Sequence, residues 1–352
     1  MNRMRLALED QTRHCEALGS PFMGRLMALL SVHWPLPGTV AERLDAWPGE
    51  VGSQAAALPL RLAGGLHALV LQGRDAALAA AYPPHAVSDD ELLSAVTGAM
   101  QRHEGFLLDW IQSPPQTNEV RRAAALIATA HLLTDRFGLP IRLSELGASG
   151  GLNLGFDGFG MEVKGRHYGP ENASVVLSPE WEGPLPPATE VTVAERRGVD
   201  LAPLEPSHPD DALRLIAYLW PDQTDRIERT RAAMGLRAPG LVDRADAIDW
   251  LEPRLAAALP DHLHIVFHSI AWQYFPPEAQ ERGRALIEAA GARASEAAPL
   301  AWVSMEADGK GPGARIGLRL WPGDHDLTLG RIDFHGRWLC WTGPERLDAA
   351  GN

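Results

Sequence analysis

The stretch Ile141–Leu154 reads IRLSELGASGGLNL and decides the fold. In it an apolar run suited to a β-strand ends near the acidic residue Glu145, and the glycine-rich turn Gly147–Gly151 follows. Glycine lets the backbone adopt positive φ and lets a ligand approach the main chain closely. The helix expected after the turn would present free N–H groups to that ligand. We therefore predict the strand–loop–helix that opens a nucleotide-binding α/β domain.

The same turn permits other interpretations. Measured from Gly147, the third and sixth positions are not glycine, so the glycine fingerprint of nicotinamide enzymes is broken. The turn also spells G-x-S-x-G, the nucleophile elbow of hydrolases, with Ser149 as the nucleophile and His335 as a downstream base. An elbow normally follows several strands, whereas everything before this strand reads as helix. A purely structural turn is the third alternative, which Glu145 makes less attractive because a buried, unpaired carboxylate is costly.

The N-terminal part of the chain reads as helical. Apolar residues recur at helical spacing in Phe22–Val32 and Leu58–Leu78, and Ser88–Glu91 resembles a helix N-terminus with an acidic first turn. No alternation typical of strands interrupts residues 1–135. We predict an all-helical N-terminal domain over residues 1–120, in a position to cap the domain that follows.

From Pro140 onward short β-rich runs alternate with helical ones, which is typical of a parallel sheet with crossover helices. The predicted strands are Ile141–Leu146, Val191–Val199, Leu241–Arg244, His264–His268, Leu300–Met305, Ile316–Leu320 and Trp338–Trp341. No helix separates the last two, so we expect an antiparallel C-terminal edge. Residues 155–187 are rich in glycine and proline and are interpreted as an insertion, with a further strand at Ser174–Leu177. The prediction is an α/β, Rossmann-like, mostly parallel sheet over residues 121–352.

Composition narrows the classes of partner. The formal net charge of −13 argues against nucleic-acid binding, which needs a surplus of Lys and Arg. Cys15 and Cys340 lie at opposite ends and indicate neither a disulfide framework nor a zinc site, and no cluster of His, Cys, Asp and Glu has metal-ligand spacing. The N-terminus lacks an apolar signal core, and no apolar run is long enough to span a bilayer. We expect a cytoplasmic protein that acts on a small molecule.

Polar residues follow several of the other predicted strands. Asp200 suits the acid that bonds ribose hydroxyls in nucleotide-binding folds, although Asp is also common as a turn former. Asp246 is placed either to face an adenine amino group or to cap the helix after it. His268 and Ser269 end another apolar run, with Tyr274 shortly beyond. These side chains would line the crevice at the carboxyl ends of the strands, although a lone His there is more often structural.

The segment PPQTNEV, residues 114–120, leads into a helix. Thr117 is a plausible N-cap for it. The amide and carboxylate groups of Gln116, Asn118 and Glu119 exceed what a cap needs, so we predict that they contact the substrate.

With these residues in view, the chain resembles the bacterial domain-of-unknown-function 2332 family over nearly its whole length. The resemblance is carried by the segments LPLRLAGGLHALVLQG, PPQTNEVRRAAAL, ELGASGGLNL, RRGVDLAPL, YLWPDQTDRIERTRAAM, VFHSIAWQYFP and FHGRWLCW. The activity of that family is not established, so the resemblance alone names no reaction.

The strand–loop segments are similar in turn to those of class I S-adenosylmethionine-dependent methyltransferases. On that resemblance Glu145-x-Gly147 corresponds to their first motif, Gly198–Asp200 contains their ribose acid, and Asp246–Ala247 is their adenine-side motif. Two departures stand out. Ser149 occupies a position where these enzymes have glycine, and the insertion moves the ribose acid further along the chain than a single helix would.

We therefore expect a methyltransferase that uses S-adenosylmethionine on a small-molecule acceptor. Methyl transfer needs alignment and desolvation more than a strong catalytic pair. His268 is the candidate base if the acceptor must lose a proton. The expected cofactor-binding residues are Glu145, Gly147, Ser149, Gly151, Asp200, Asp246 and Ser269. The expected substrate-binding residues are Gln116, Asn118, Glu119 and Tyr274. The alternatives are a serine hydrolase based on Ser149 and a non-catalytic nucleotide-binding protein.

Overall fold

A computed structural model describes residues 2–53, 55–344 and 347. The chain divides into two compact units, a helical unit of Met1–Thr117 with His208–Arg231 and a sheet unit of Asn118–Ser207 with Ala232–Asn352. The first boundary lies close to the one expected near residue 120. The helical unit also takes residues 208–231 from the range 121–352 expected for the second domain, because Trp220 and Tyr218 pack in its core.

In chain order the α-helices are α1 Arg3–Ala17, α2 Pro21–His33, α3 Thr39–Asp45, α4 Leu58–Leu71, α5 Ala76–Ala80, α6 Asp89–Arg102, α7 Glu104–Trp110, α8 Ala123–Phe137, α9 Pro209–Ala217, α10 Thr224–Leu236, α11 Ala247–Leu255 and α12 Pro277–Gly291. The α-helices α1 to α7 and α9 lie in the helical unit, α8, α11 and α12 lie in the sheet unit, and α10 crosses the boundary between the two at residue 231. Ser88 caps α6 in a reciprocal capping box with Glu91, as the sequence indicates. The helical pattern of Leu58–Leu78 predicts one helix, but the structure has two, α4 and α5. The first ends because Gly73 adopts a φ of +64°, and Asp75 then caps the second.

The sheet unit is mixed α/β around a nine-stranded, mostly parallel sheet. Its strands in chain order are β1 Ile141–Leu146, β5 Glu180–Glu182, β6 Val193–Asp200, β7 Val242–Arg244, β8 Leu263–Ser269, β9 Leu300–Glu306, β10 Ala314–Trp321, β11 His325–Ile332 and β12 Trp338–Trp341, with β2 Gly160–Val163, β3 Arg166–Tyr168 and β4 Val176–Leu177 in a separate small sheet. The spatial order is β5-β12-β11-β10-β9-β8-β1-β6-β7.

The five strands β7, β6, β1, β8 and β9 are parallel neighbours. As expected, the C-terminal strands β10, β11 and β12 run antiparallel, but β5 pairs in parallel with β12 and lies outside them. The segment read as an irregular insertion therefore supplies the small sheet and one outer strand of the large sheet.

Both faces of the parallel strands are covered. Apolar residues of α8, among them Leu126 and Leu133, pack with Leu143 and Ile265 on one face. On the other face Leu251 of α11 and Ile287 of α12 pack with Leu146 and Val266. Burial on both faces explains why these strands are continuous apolar runs, which is the pattern that the sequence shows. No helix in the described ranges is both long and apolar enough to cross a membrane.

Candidate functional site

The candidate site lies at the carboxyl ends of the central parallel strands. From β1 the chain moves outward to β6 and β7 and then returns to the other side of β1 to form β8 and β9. In open parallel sheets ligands bind beyond the strand ends where the order reverses in this way. Glu145, Asp200 and Ser269 stand at the ends of β1, β6 and β8, so the fold brings these three predicted residues to one edge.

The glycine-rich turn after β1 is held in a left-handed conformation at three positions: φ is +68° at Gly147, +53° at Ser149 and +68° at Gly151. A Cβ on Gly147 would lie 2.5 Å from Cβ of Ala271, and one on Gly151 would lie 2.6 Å from Cγ2 of Val242. Glycine at these two positions is thus required by backbone angle and by space. Ser149 adopts the same backbone conformation against its preference.

The expected helix after the turn is a short 3₁₀ segment, Leu152–Gly158, with Gly155 outside helical angles. This is a correction to the strand–loop–helix prediction. Gly155 and Gly158 weaken an α-helix here, because glycine is a poor helix former.

Asp200 fastens the turn to β6. One carboxylate oxygen, Oδ2, accepts a hydrogen bond of 2.8 Å from the backbone N–H of Ser149, and Oδ1 accepts one of 2.9 Å from the backbone N–H of Ala202. Each oxygen can accept a second bond. Asp200 is therefore both a structural acceptor for the turn and a group that can accept from a bound hydroxyl.

Glu145 is 3% exposed, and its Oε2 has no hydrogen-bond partner among the described residues. Burial raises the pKa of its carboxyl group from 4.5 to about 8, the negative charge of Asp200 adds to the rise, and the positive charge of Arg122 opposes it. The unliganded carboxyl group therefore holds its proton at neutral pH. A cation placed beside it would favour ionisation.

Arg122 is a residue of this edge that the sequence reasoning missed. It comes immediately before α8, where its Nη1 donates to the backbone carbonyl of Ser269 at 3.3 Å and its Nε to that of Phe334 at 3.0 Å. Its position in the sequence could have indicated this role, because a cation at the N-terminus of a helix is disfavoured by the helix dipole. An arginine there is expected to have another use, in this case contact with the carboxyl ends of the strands.

Asn118 and Glu119, the predicted substrate contacts, are buried and hold the backbone of the sheet unit. Asn118 Oδ1 accepts from the backbone N–H of Leu152 at 2.8 Å, directly after the glycine-rich turn. Glu119 Oε1 accepts from the backbone N–H of Arg121 at 3.2 Å, and its carbonyl oxygen accepts from Asn153 at 3.4 Å. These contacts hold the backbone that follows the glycine-rich turn and so support the candidate site. The third residue of the set, Gln116, belongs to the helical unit.

Asp246 is the N-cap of α11. Its Oδ1 accepts from the backbone N–H groups of Ile248 at 2.9 Å and Asp249 at 3.1 Å. Of the two interpretations left open by the sequence, this geometry supports the helix cap, and an adenine contact stays a prediction.

His268 is buried, and both ring nitrogens are occupied. Nδ1 lies 2.7 Å from Oε1 of Glu306, and Nε2 lies 2.9 Å from the indole nitrogen of Trp302, which can only donate. The imidazole is therefore assigned as the neutral tautomer with its proton on Nδ1. Such a ring has no free nitrogen with which to accept a substrate proton, so its geometry does not support a role as base. Tyr274, placed beyond it, is 69% exposed.

Glu306 is the acceptor that organises the end of β9 and the turn after β8. Besides His268, its Oε1 accepts from the backbone N–H groups of Ala271 and Trp272 at 3.0 and 3.1 Å. Burial alone would raise the pKa of Glu306, but these hydrogen bonds hold it below its ordinary value. This network fixes Ala271 against Gly147 and hence supports the glycine-rich turn.

Ser149, the candidate nucleophile of the hydrolase alternative, has a buried hydroxyl group. Its Oγ has no hydrogen-bond partner among the described residues. A serine nucleophile is activated by a base within hydrogen-bond reach. No base among the residues that the structure describes lies within hydrogen-bond reach of Ser149 Oγ, so its geometry gives that alternative no support.

A search for metal-binding groups and three comparisons with known proteins complete this description. The residues that the structure describes contain no group of three or more His, Cys, Asp and Glu side chains arranged to hold a metal ion. Residues 5–341 match the profile of a family described as uncharacterized proteins conserved in bacteria, DUF2332. The chain belongs to this family. No curated protein and no solved structure gives a significant match.

Proposed function

We propose that the sheet unit is a Rossmann-like domain that binds S-adenosylmethionine and presents its methyl group to a small-molecule acceptor. The observation that carries the proposal is the strand order β7-β6-β1-β8-β9 with a glycine-rich turn and two carboxyl groups at its reversal point. A parallel sheet of this order is typical of folds that bind adenosine-containing ligands at that edge.

The two carboxyl groups suit two different parts of this ligand. Asp200 retains acceptor capacity toward the paired hydroxyls of a ribose. Glu145, buried and without a partner at Oε2, suits the positive charge that the cofactor carries. When bound, the cofactor would supply a methyl group on a positively charged sulfonium sulfur, and that sulfur would leave as a neutral thioether when the methyl group is transferred.

The protein's own task in such a transfer is alignment and exclusion of water. The left-handed backbone at Gly147 and Gly151 brings the main chain close to the strand edge, where bulkier residues would meet Ala271 and Val242. Asn118 holds the far end of the same turn. This preorganised turn needs no basic side chain, and the proposal assigns none.

Isothermal titration calorimetry with S-adenosylmethionine, its demethylated product and NAD tests the proposal. We expect heat with both sulfur nucleotides and none with NAD. Asp200→Asn should weaken binding of the sulfur nucleotides at least tenfold, because it removes the charge but leaves an acceptor for the turn. Asp326→Asn, at an exposed residue paired with Arg315, is the matched control and should bind like the wild type. No heat with either sulfur nucleotide in a folded sample would refute the proposal.

A further inference from the structure

Three buried polar atoms without hydrogen-bond partners occur together in the helical unit. They are Nε1 of Trp110, Nη1 of Arg214 and the hydroxyl oxygen of Tyr218. The guanidinium carbon of Arg214 lies 4.5 Å from the centre of the Trp110 ring, and the rings of Trp110 and Tyr218 are 5.8 Å apart. Trp110 ends α7, and the other two residues lie on or directly after α9, so two helices bring the three atoms to one place.

The cluster carries positive charge that no carboxylate offsets. Arg214 is half-buried, has no ion-pair partner within the described residues, and places its guanidinium over the ring of Trp110. Nearby Arg61 is buried, and its N–H groups donate to the backbone carbonyls of Ala56, Ile111 and Gln112. The Nη1 atom of Arg214 is nevertheless buried, and a charged nitrogen buried without a hydrogen-bond partner is costly and is normally paired.

The phenol of Tyr218 is a donor in these surroundings. Burial raises its pKa, although Arg214, Arg61 and the neighbouring Trp110 indole favour the ionised form. The indole is close to the phenol, but neither group has a hydrogen bond of ordinary length and angle. An indole N–H and a guanidinium N–H can only donate. All three groups therefore offer hydrogens, and apart from the phenol oxygen itself the described residues place no acceptor in hydrogen-bond geometry with Trp110 Nε1, Arg214 Nη1 or the Tyr218 hydroxyl.

The position of Tyr218 is built into the packing. A Cβ on Gly64 of α4 would lie 2.5 Å from Cε1 of the Tyr218 ring, so only glycine at this position admits the ring. The residue before Tyr218, Ala217, is also held by α4. Its backbone carbonyl lies 3.1 Å from Nδ1 of His67 and accepts a hydrogen bond from it if Nδ1 carries the proton. The phenol is held in place, which is what a preorganised binding group requires.

We propose that Trp110, Arg214 and Tyr218 form a binding site in the helical unit for a small oxyanion, a carboxylate or a phosphate group. Such a group has several acceptor oxygens and a negative charge, which together complement three donors and an unpaired guanidinium. The site is independent of the proposed binding of S-adenosylmethionine, since it uses no residue of the sheet unit and is tested without nucleotide.

The test uses the full-length protein at pH 7 and constant ionic strength, with sodium phosphate or sodium acetate replacing sodium chloride. We expect at least one of the two anions to raise the unfolding temperature in a saturable way. A response to acetate alone identifies a carboxylate site, and a response to phosphate alone identifies a phosphate site. Arg214→Gln should weaken the apparent affinity at least tenfold. Arg13→Gln, at an exposed residue of the same unit paired with Asp10, should leave it unchanged.

Trp110→Phe and Tyr218→Phe separate binding from folding. Tyr218→Phe keeps the ring in the core and removes one unpaired donor, so in chloride alone it should unfold at the same temperature as the wild type or higher. Trp110→Phe also replaces the buried indole with a smaller ring, so it should unfold at a lower temperature. Each should nevertheless bind the anion several-fold more weakly. The proposal is overturned if neither anion acts on the wild type, if Arg214→Gln responds like the wild type, or if both phenylalanine variants bind the anion normally.

Discussion

At the scale of single residues, Glu145 links stability to pH in an unusual direction. Its pKa is about 8 in the fold and 4.5 in the unfolded chain, so between these values the unfolded chain loses a proton that the native protein keeps. Stability attributable to Glu145 is therefore full below about pH 4.5 and is lost as the pH rises toward 8, by up to about 1.4 kcal/mol per unit. Glu145→Gln should remove this loss.

Chemical denaturation between pH 5 and pH 8.5 measures the effect. The free energy of unfolding of Glu145→Gln, relative to the wild type, should increase steadily across that range. Glu281→Gln, which changes an exposed glutamate of the same unit, should run parallel to the wild type. Parallel curves for both variants would contradict the prediction.

Ser149 combines a left-handed backbone conformation with a buried hydroxyl group that finds no hydrogen-bond partner in the described part of the chain. Ser149→Gly relieves both, so we expect it to stabilise the protein by about 1 kcal/mol. Ser149→Ala removes only the hydroxyl and should gain less than the glycine variant. Urea unfolding of the two variants beside the wild type measures each contribution. Equal stabilities for alanine and glycine variants would show that the backbone conformation costs nothing here.

At the scale of secondary structure elements, Asp246 and α11 provide a test of the cap interpretation. Two backbone N–H groups at the start of the helix depend on its Oδ1. Asp246→Ala should cost about 1 kcal/mol of stability, whereas Asp246→Asn should cost much less because asparagine is an equally good N-cap. Thermal and urea unfolding decide this. If alanine and asparagine variants were equally stable, the carboxylate would have another role.

Elements with a continuous apolar pattern were predictable, and elements shaped by distant contacts were not. The bounds of β1 and β12 agree with the sequence prediction, because both are apolar runs with clear turns beside them. Strand β11 was missed, since its sequence HDLTLGRI mixes polar residues with a glycine at position 330. That glycine lies so near Cys340 that a Cβ would be 2.2 Å from its carbonyl oxygen. The requirement for glycine at position 330 becomes visible only when β11 is paired with β12.

The same distinction applies to the candidate site. Glu145, Asp200 and Ser269 were predictable because strand ends of a parallel sheet meet at one edge whatever the details of packing. The structural role of Asn118 was not, since its acceptor bonds an N–H that lies 34 residues later in the chain. Both nitrogens of His268 are likewise occupied by side chains from β9, which no local pattern shows. Sequence therefore locates the edge, and tertiary contacts decide what each group there can do.

At the scale of the whole molecule, the helical unit is discontinuous in sequence. Trp220 packs in the same core as Leu62, Leu66 and other residues of the first helices, and Ala217 and Tyr218 pack with Ala68 and Trp110. The sequence of residues 208–231 has an amphipathic pattern that is typical of helices. It cannot indicate which apolar surface they cover, because that depends on the route of the chain and not on periodicity.

This arrangement predicts that residues 1–120, the domain expected from sequence, do not fold cooperatively alone. Without α9 and the segment after it, the core loses Trp220 and Tyr218, and loss of even one buried aromatic side chain typically costs about 3–5 kcal/mol. Joining residues 2–117 to residues 208–231 through a flexible Gly/Ser linker should restore a single sharp thermal transition and dispersed amide resonances. The same fusion with Trp220→Ala should lose much of that stability. If the 1–120 fragment unfolds as cooperatively as the fusion, then the 208–231 segment is an accessory to the helical unit and not a part of its core.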